Sequence, residues 1–184
     1  AGVCARLGLE SPVAAQYIYS LIPREPEREV VPAAVDHGLG VLCYSPLGAG
    51  LLTGKYKGMT APVRGSRMQI RAQIDGGRFW HPQGMRVAQA VEEVSAKTGI
   101  PMAKLAIAWP LGRRFVASVI VGVRTQDQLA ANLEPGDWDM PADVWKSLEE
   151  QTRPEEEYQV WFTKMAYARF FNAADFHDER AELP

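Results

Sequence analysis

The sequence predicts a parallel α/β fold, and three observations carry that prediction. Short apolar runs near 13–17, 40–44 and 117–121 have the length of strands. Each is followed by a stretch with helical spacing and recognisable end signals. Strand and helix therefore alternate along the chain, which is the pattern of parallel βαβ units. A closed barrel and an open doubly wound sheet both produce this alternation, so it does not choose between them.

The elements follow in order. Residues 3–9 (VCARLGL) read as the last turns of a helix ending near Gly8, with the expectation that the chain begins in mid-domain. Residues 12–17 (PVAAQY) form the first strand candidate. The stretch 25–37 is helical, with Gly38 as terminator. Pro32 cannot occupy a helix interior, so a short turn is expected first, then a helix with Pro32 in its first turn. The central strand is Val41, Leu42, Cys43, Tyr44. From 57 to 84 periodicity is lost among Gly58, Pro62, Gly65, Gly76, Gly77, Pro82 and Gly84, a long excursion of the kind that is functional or mobile. Residues 85–98 place Val87, Val91 and Val94 at helical spacing and stop at Gly99; Pro101 opens another helix to about Leu111. The run 115–122 is the third strand. Thr125 with Gln128 three residues on resembles a capping box and starts a helix through Leu133. Pro141 begins an amphipathic helix to Gln151.

Composition excludes several classes of function. The 184 residues are 47% hydrophobic and 23% charged, as in an ordinary globular protein. Lys and Arg number 20 against 22 acids, a net charge of -2, which gives no basic excess for nucleic acid or an anionic membrane. No apolar run approaches the roughly 18–20 residues of a membrane span, and the N-terminus lacks the features of a signal peptide. A cytoplasmic protein without membrane or nucleic-acid partners is expected. Cys4 and Cys43 are too few for a disulfide framework and read as small core residues. No two histidines or cysteines stand at ligand spacing, so no metal site is expected.

The stretch 41–56, VLCYSPLGAGLLTGKY, carries the strongest functional signal. A strand leads into a loop of Ser45, Pro46, Leu47, Gly48, Ala49 and Gly50, where small residues let backbone approach a ligand. Thr53, Gly54 and Lys55 add a hydroxyl and a positive charge, a combination suited to phosphate. A Walker loop fails twice, because Ala49 stands at its first glycine and Tyr56 follows Lys55. A G-x-G-x-x-G fingerprint from Gly48 and Gly50 meets Thr53 at the third small position, and residues 68–72 offer no acid for a ribose. By itself a Gly-rich turn after a strand is more often a plain connection than a ligand site.

Tyr44-Ser45-Pro46-Leu47 with Gly50, then Leu51-Leu52-Thr53-Gly54-Lys55-Tyr56, and later Val119-Ile120-Val121-Gly122-Val123-Arg124-Thr125 with Gln128 and Asn132, resemble the NADP-binding half of the aldo/keto reductases. The branch with potassium-channel beta subunits and LTGKY-bearing bacterial reductases is the nearest in pattern, over about 16–133. This resemblance implies a (β/α)8 barrel with its site on the loops after the strands' carboxyl ends. The three strands would be the sixth, seventh and eighth, about three C-terminal βα units of an incomplete barrel. It implies an NADP(H)-dependent oxidoreductase that reduces aldehydes or ketones to alcohols, with NADP(H) and a small carbonyl or alcohol as ligands.

Under that resemblance Tyr44 stacks on the nicotinamide, and Gln16 holds its carboxamide. Ser45, Pro46, Leu47, Gly48, Gly50 and Lys55 surround the pyrophosphate. Gly122 ends the third strand, and Arg124, at the start of a helix, suits the 2'-phosphate of NADP. Gln128 and Asn132, one turn apart, reach the adenine edge. Arg67 adds a basic contact to the adenosine phosphate. Ala131 stands where channel-type relatives carry an acid, which removes one polar contact.

The family's proton-transfer tyrosine, lysine, aspartate and histidine lie on early strands, upstream of the matched segment. His37, His81 and His177 read as surface residues, and Tyr17, Tyr19 and Tyr56 lack a Lys and Asp arrangement, so no catalytic residue is nominated in this chain. Two readings follow: the C-terminal half of a reductase, or a non-catalytic nucleotide-binding or scaffold half-barrel. Residues 1–152 form the barrel part and 153–184 an aromatic-rich tail with Tyr158, Trp161, Phe162, Met165, Tyr167, Phe170, Phe171 and Phe176. That tail is expected to be a helix covering the barrel wall, or else to line a substrate pocket or subunit contact. Three strands leave an apolar edge exposed, so the isolated chain is expected to be poorly stable or to associate through the barrel edge.

Overall fold

The computed structural model describes residues 2–155 and 158–170. Helix α1 (Gly2–Leu7) precedes strand β1 (Ala14–Ile18). A tight turn at Glu25–Glu27 leads to α2 (Val30–Asp36), with Pro32 in its first turn as its fixed φ requires. Strand β2 (Gly40–Tyr44) follows, then two kinked turns across Gly48–Thr53. The excursion after Lys57 is not wholly irregular. It contains α3 (Arg67–Ile70), a wide turn at Ala72–Gly76 and the single turn α4 (Gly77–Phe79). Ser66 accounts for α3: its hydroxyl caps Gln69 N at 3.3 Å, and Gln69 Oε1 accepts the Gly65 N–H at 3.2 Å.

The long helix α5 (Pro82–Thr98) ends at Gly99 in the left-handed region (φ 73°), the C-terminal device expected from its sequence. Then come α6 (Met102–Leu111), strand β3 (Val116–Ile120), α7 (Gln126–Leu133), α8 (Ala142–Thr152) and α9 (Tyr158–Phe170). Among the described residues the tail is therefore helical from Tyr158. Its Tyr158, Trp161 and Phe162 rings stay largely exposed while touching one another at 5.8 Å centroid distances. Phe171 and Phe176 lie outside the described residues.

The three strands form one parallel sheet in the order β1-β2-β3. Val41 and Cys43 point into the helix layer and are fully buried, while Gly40, Leu42 and Tyr44 alternate to the other face. The core lies on one side: Val31 of α2, Val87, Val91 and Val94 of α5, Leu105 and Trp109 of α6, and Leu148 of α8 join Val41 and Cys43 of β2 in one cluster. The opposite face, which by register holds Gln16, Leu42, Tyr44, Ser118 and Ile120, is not covered by any described element. Helices on one face of a short parallel sheet are what part of a barrel presents.

The outer layer is tied by a charged network. Arg24 donates to Glu27 at 2.8 Å and to Glu149 of α8 at 2.6 Å, and Arg113 donates to the other Glu149 oxygen at 2.6 Å. Both guanidinium groups lie over the Trp109 ring, at 4.9 and 4.7 Å. The Tyr19 hydroxyl gives its proton to Glu27 at 2.7 Å; burial, then the Glu27 charge, pushes its pKa well above the usual tyrosine range. Removing one partner of such a network would strand a buried charge, so it fixes how the loop after β1 meets α8 and α6.

Candidate functional site

The carboxyl ends of the strands converge. Ile18, Tyr44 and Ile120 stand side by side in register, and Gln16 pairs with Leu42, two positions back on β1. Adjacent strands lie about 4.8 Å apart, so Gln16 and Tyr44 share one neighbourhood on the uncovered face. Gln16 is exposed and Tyr44 half-buried.

From Tyr44 the backbone turns sharply. Ser45 (φ 61°), Gly48 (φ 54°), Ala49 (φ 53°) and Gly50 (φ 92°) all occupy the left-handed region. For Ser45 and Ala49 this costs on the order of 1 kcal/mol each and persists only where surroundings enforce it. The surroundings do: Pro46, Gly48, Ala49, Leu51 and Leu52 are buried, and Thr53 Oγ1 donates to Gly50 O at 2.8 Å. Gly50 has a second role. A Cβ there would lie 2.5 Å from Lys55 Nζ, so the absent side chain is the channel through which the lysine crosses the loop. Lys55 Nζ then sits 4.9 Å from the Tyr56 ring centroid. The result is an exposed ammonium fixed over a tight backbone turn, a combination that attracts an anion.

The second segment is arranged differently. Gly122 and Arg124 are exposed between β3 and α7. Thr125 caps α7 by accepting Gln128 N–H at 3.2 Å, and Gln128 Oε1 turns back to accept the Arg124 N–H at 2.9 Å. The carboxamide oxygen of Gln128 is thus committed to the cap, which leaves its NH2 for any adenine edge. Asn132 lies one turn along, half-buried.

Arg67 opens α3, which packs against the Gly48–Thr53 turns. Its Nε donates to Asp75 Oδ2 at 3.0 Å, an interaction the sequence reading missed. The other titratable candidates are engaged structurally. His81 caps α5, its Nδ1 accepting Gly84 N–H at 3.2 Å with Nε2 3.1 Å from Arg78 O. His37 lies beside Asp36 at the end of α2, and His177 is outside the described residues. The Tyr19 hydroxyl is engaged by Glu27, and that of Tyr56 is buried without a hydrogen bond. Among the described residues no three His, Cys, Asp or Glu side chains gather to hold a metal. No helix among them is long and apolar enough to cross a membrane.

A parallel α/β sheet with a strained glycine loop and fixed cations at its strand ends defines a protein that binds its ligand beyond the carboxyl edge of the sheet. The family model described as aldo/keto reductase matches residues 6–153, and the chain belongs to that family. It is 31% identical over 138 residues to an Arabidopsis thaliana protein named "probable voltage-gated potassium channel subunit beta", covering 74% of this chain and 42% of that protein. It is likewise 31% identical over 137 residues to Protein tas of Escherichia coli, covering 74% and 39%. A third relative, versiconal hemiacetal acetate reductase of Aspergillus parasiticus, is 31% identical over 133 residues, 69% of this chain and 36% of its own. The chain spans about two fifths of the length of the curated relatives it matches. Membership makes the chain part of an oxidoreductase family of nicotinamide-dependent barrels, and its one-sided parallel sheet is consistent with part of such a barrel.

Proposed function

We propose that this chain, over residues 1–152, is the cofactor-binding half of an NADP(H)-dependent reductase that converts aldehydes or ketones to alcohols in the cytoplasm. The observation that carries this reading is the loop after β2, where Ser45, Gly48, Ala49 and Gly50 hold positive φ and Lys55 lies across Gly50. Backbone strain held in place by packing, as at Ser45 and Ala49, clusters at ligand sites.

Bound NADPH supplies the hydride. Tyr44 offers the ring face on which the nicotinamide rests, and Gln16 on the neighbouring strand takes its carboxamide, so the reactive ring lies flat over the uncovered sheet face. The turn 45–50 and Lys55 hold the pyrophosphate. Arg124 favours a 2'-phosphate over a bare ribose, and Gln128 and Asn132 take the adenine. The buried Cys43, Pro46, Leu51 and Leu52 keep this end rigid. By the family resemblance proton transfer falls to residues outside those this chain aligns; here the Tyr19 hydroxyl is engaged by Glu27 and that of Tyr56 is buried.

The test is titration of NADPH with cofactor fluorescence as readout, followed by NADPH oxidation with a panel of aldehydes and ketones. Binding tighter than NADH, weakened by Tyr44→Ala and Lys55→Met, supports the reading. Equal and weak binding of both nucleotides would overturn it.

A further inference from the structure

The segment after Ser66 contains a buried acid that no role yet described uses. Asp75 is fully buried. Its Oδ2 accepts from Arg67 Nε at 3.0 Å and lies 3.9 Å from Arg71 Nε, while Oδ1 is buried and makes no hydrogen bond. Continuous helix would carry Asp75 about 12 Å along the axis from Arg67. The break at Arg71 (φ -111°, ψ 31°) and the wide turn that follows fold the chain back, and Asp75 N bonds Arg71 O at 2.8 Å. Wide helical turns of this kind concentrate at functional sites.

The contact uses only the inner edge of each arginine. Arg67 and Arg71 are about half exposed, and their terminal nitrogens hydrogen-bond to no described residue. A guanidinium has five donors in a fixed plane, so the carboxylate at Arg67 Nε sets that plane and leaves its NH1 and NH2 donors for a second partner. Residues four apart on a helix share a face. One buried carboxyl oxygen therefore fixes the Arg67 plane by a hydrogen bond and attracts the Arg71 guanidinium across 3.9 Å.

We propose that Asp75 is a positioning residue that presents Arg67 and Arg71 as a paired clamp for the phosphate on the adenosine end of the nucleotide. Arg71 is then a phosphate ligand beside Arg67, and the pair adds to Arg124. The proposal rests on the NADP(H) reading for the identity of its ligand. The clamp itself, as an anion site, does not.

In the full natural chain, affinities for NADP+, 2',5'-ADP and NAD+ separate the possibilities. Asp75→Ala is expected to weaken NADP+ and 2',5'-ADP about tenfold, the size of one lost charge-assisted contact, and to leave NAD+ unchanged. Asp75→Asn keeps an oxygen for Arg67 Nε and restores most of the loss. In the Arg67→Met/Arg71→Met background, Asp75→Ala has no further effect on 2',5'-ADP. A plain structural staple would instead weaken all three nucleotides alike, or add its effect to that of the arginines; either result overturns the proposal. If Asp75→Ala does not fold, the surface variant Arg67→Met/Arg71→Met decides, and unchanged 2',5'-ADP affinity in it refutes the clamp. If the wild-type chain binds none of the nucleotides, the cofactor reading fails separately. Inorganic pyrophosphate then tests the clamp: a rise in melting temperature that the double arginine variant abolishes upholds it, and no rise refutes it.

Discussion

The two candidate halves of the site, residues 44–56 and 122–132, differ in what holds them. The first is embedded in the core: Leu51, Leu52 and Tyr56 are buried, and five left-handed residues are enforced by that packing. The second is exposed along most of its length, organised by one cap at Thr125 and one side chain, Gln128. The first is therefore shaped before any ligand arrives, whereas the second keeps freedom that a ligand must remove. Mutations in the first should cost stability and affinity together; those in the second should cost affinity alone.

The largest expected separation comes from two leucines. Leu52→Ala removes a fully buried side chain beneath the loop and should cost about 3 kcal/mol by chemical denaturation. Leu129→Ala on α7, where the side chain is 42% exposed, should stay within about 0.5 kcal/mol. Equal costs would show that the second segment is packed by something outside the described residues.

Gly50→Ala comes next. The φ of 92° alone should cost about 1 kcal/mol, because a Cβ is unwelcome there whatever the space. The collision with Lys55 Nζ is cheaper in stability, since a flexible chain end can move aside, but it removes the ammonium from the turn. NADPH affinity should therefore fall further than stability does, and Lys55→Met should reproduce the loss of affinity without the loss of stability. A Gly50→Ala variant with normal affinity would break the link between glycine and lysine. Smaller in stability is Arg124→Met: NADP+ binding should weaken about tenfold relative to NAD+, with the denaturation midpoint unchanged.

The elements were legible where periodicity was strong. Val87, Val91 and Val94 mark one face of α5, and Gly99 its end, so that helix could be read within three residues at its start and to the residue at its end. Three strands and their parallel order followed from the alternation. The capping pair Ser66 and Gln69 was also written in the sequence, and it would have placed α3 inside a stretch read as irregular. Other features leave no local trace. Arg24 and Glu149 meet across 125 positions, and Arg67 reaches Asp75 only because the helix breaks between them. Ser45 runs against its local preference, since a residue before proline favours extended backbone, and yet its φ is 61°. Tertiary packing decides that turn, and packing is not a short-range pattern.

Cys43 gives the finest probe of the embedded half, one residue before the loop. Its side chain is fully buried, and burial pushes the thiol from 9.0 to about 12. The folded value is raised, so the contribution to stability is fully present below about pH 9 and is lost as pH climbs toward 12. Over that window the unfolded thiol has released its proton and the folded one has not, which lowers stability by about 1.4 kcal/mol per pH unit. Near neutral pH the effect vanishes. Tyr19 drives stability the same way from about pH 10 upward, so the comparison that isolates the thiol is between pH 9 and 10, where Cys43→Ala should flatten the slope. Cys4, partly exposed on α1, supplies the control. Iodoacetamide at pH 8 should alkylate Cys4 and spare Cys43 until the protein unfolds. Labelling of Cys43 in the folded chain would mean that the β2 end opens on the time scale of the reaction, and the contrast between a preformed half and a pliant one would be lost.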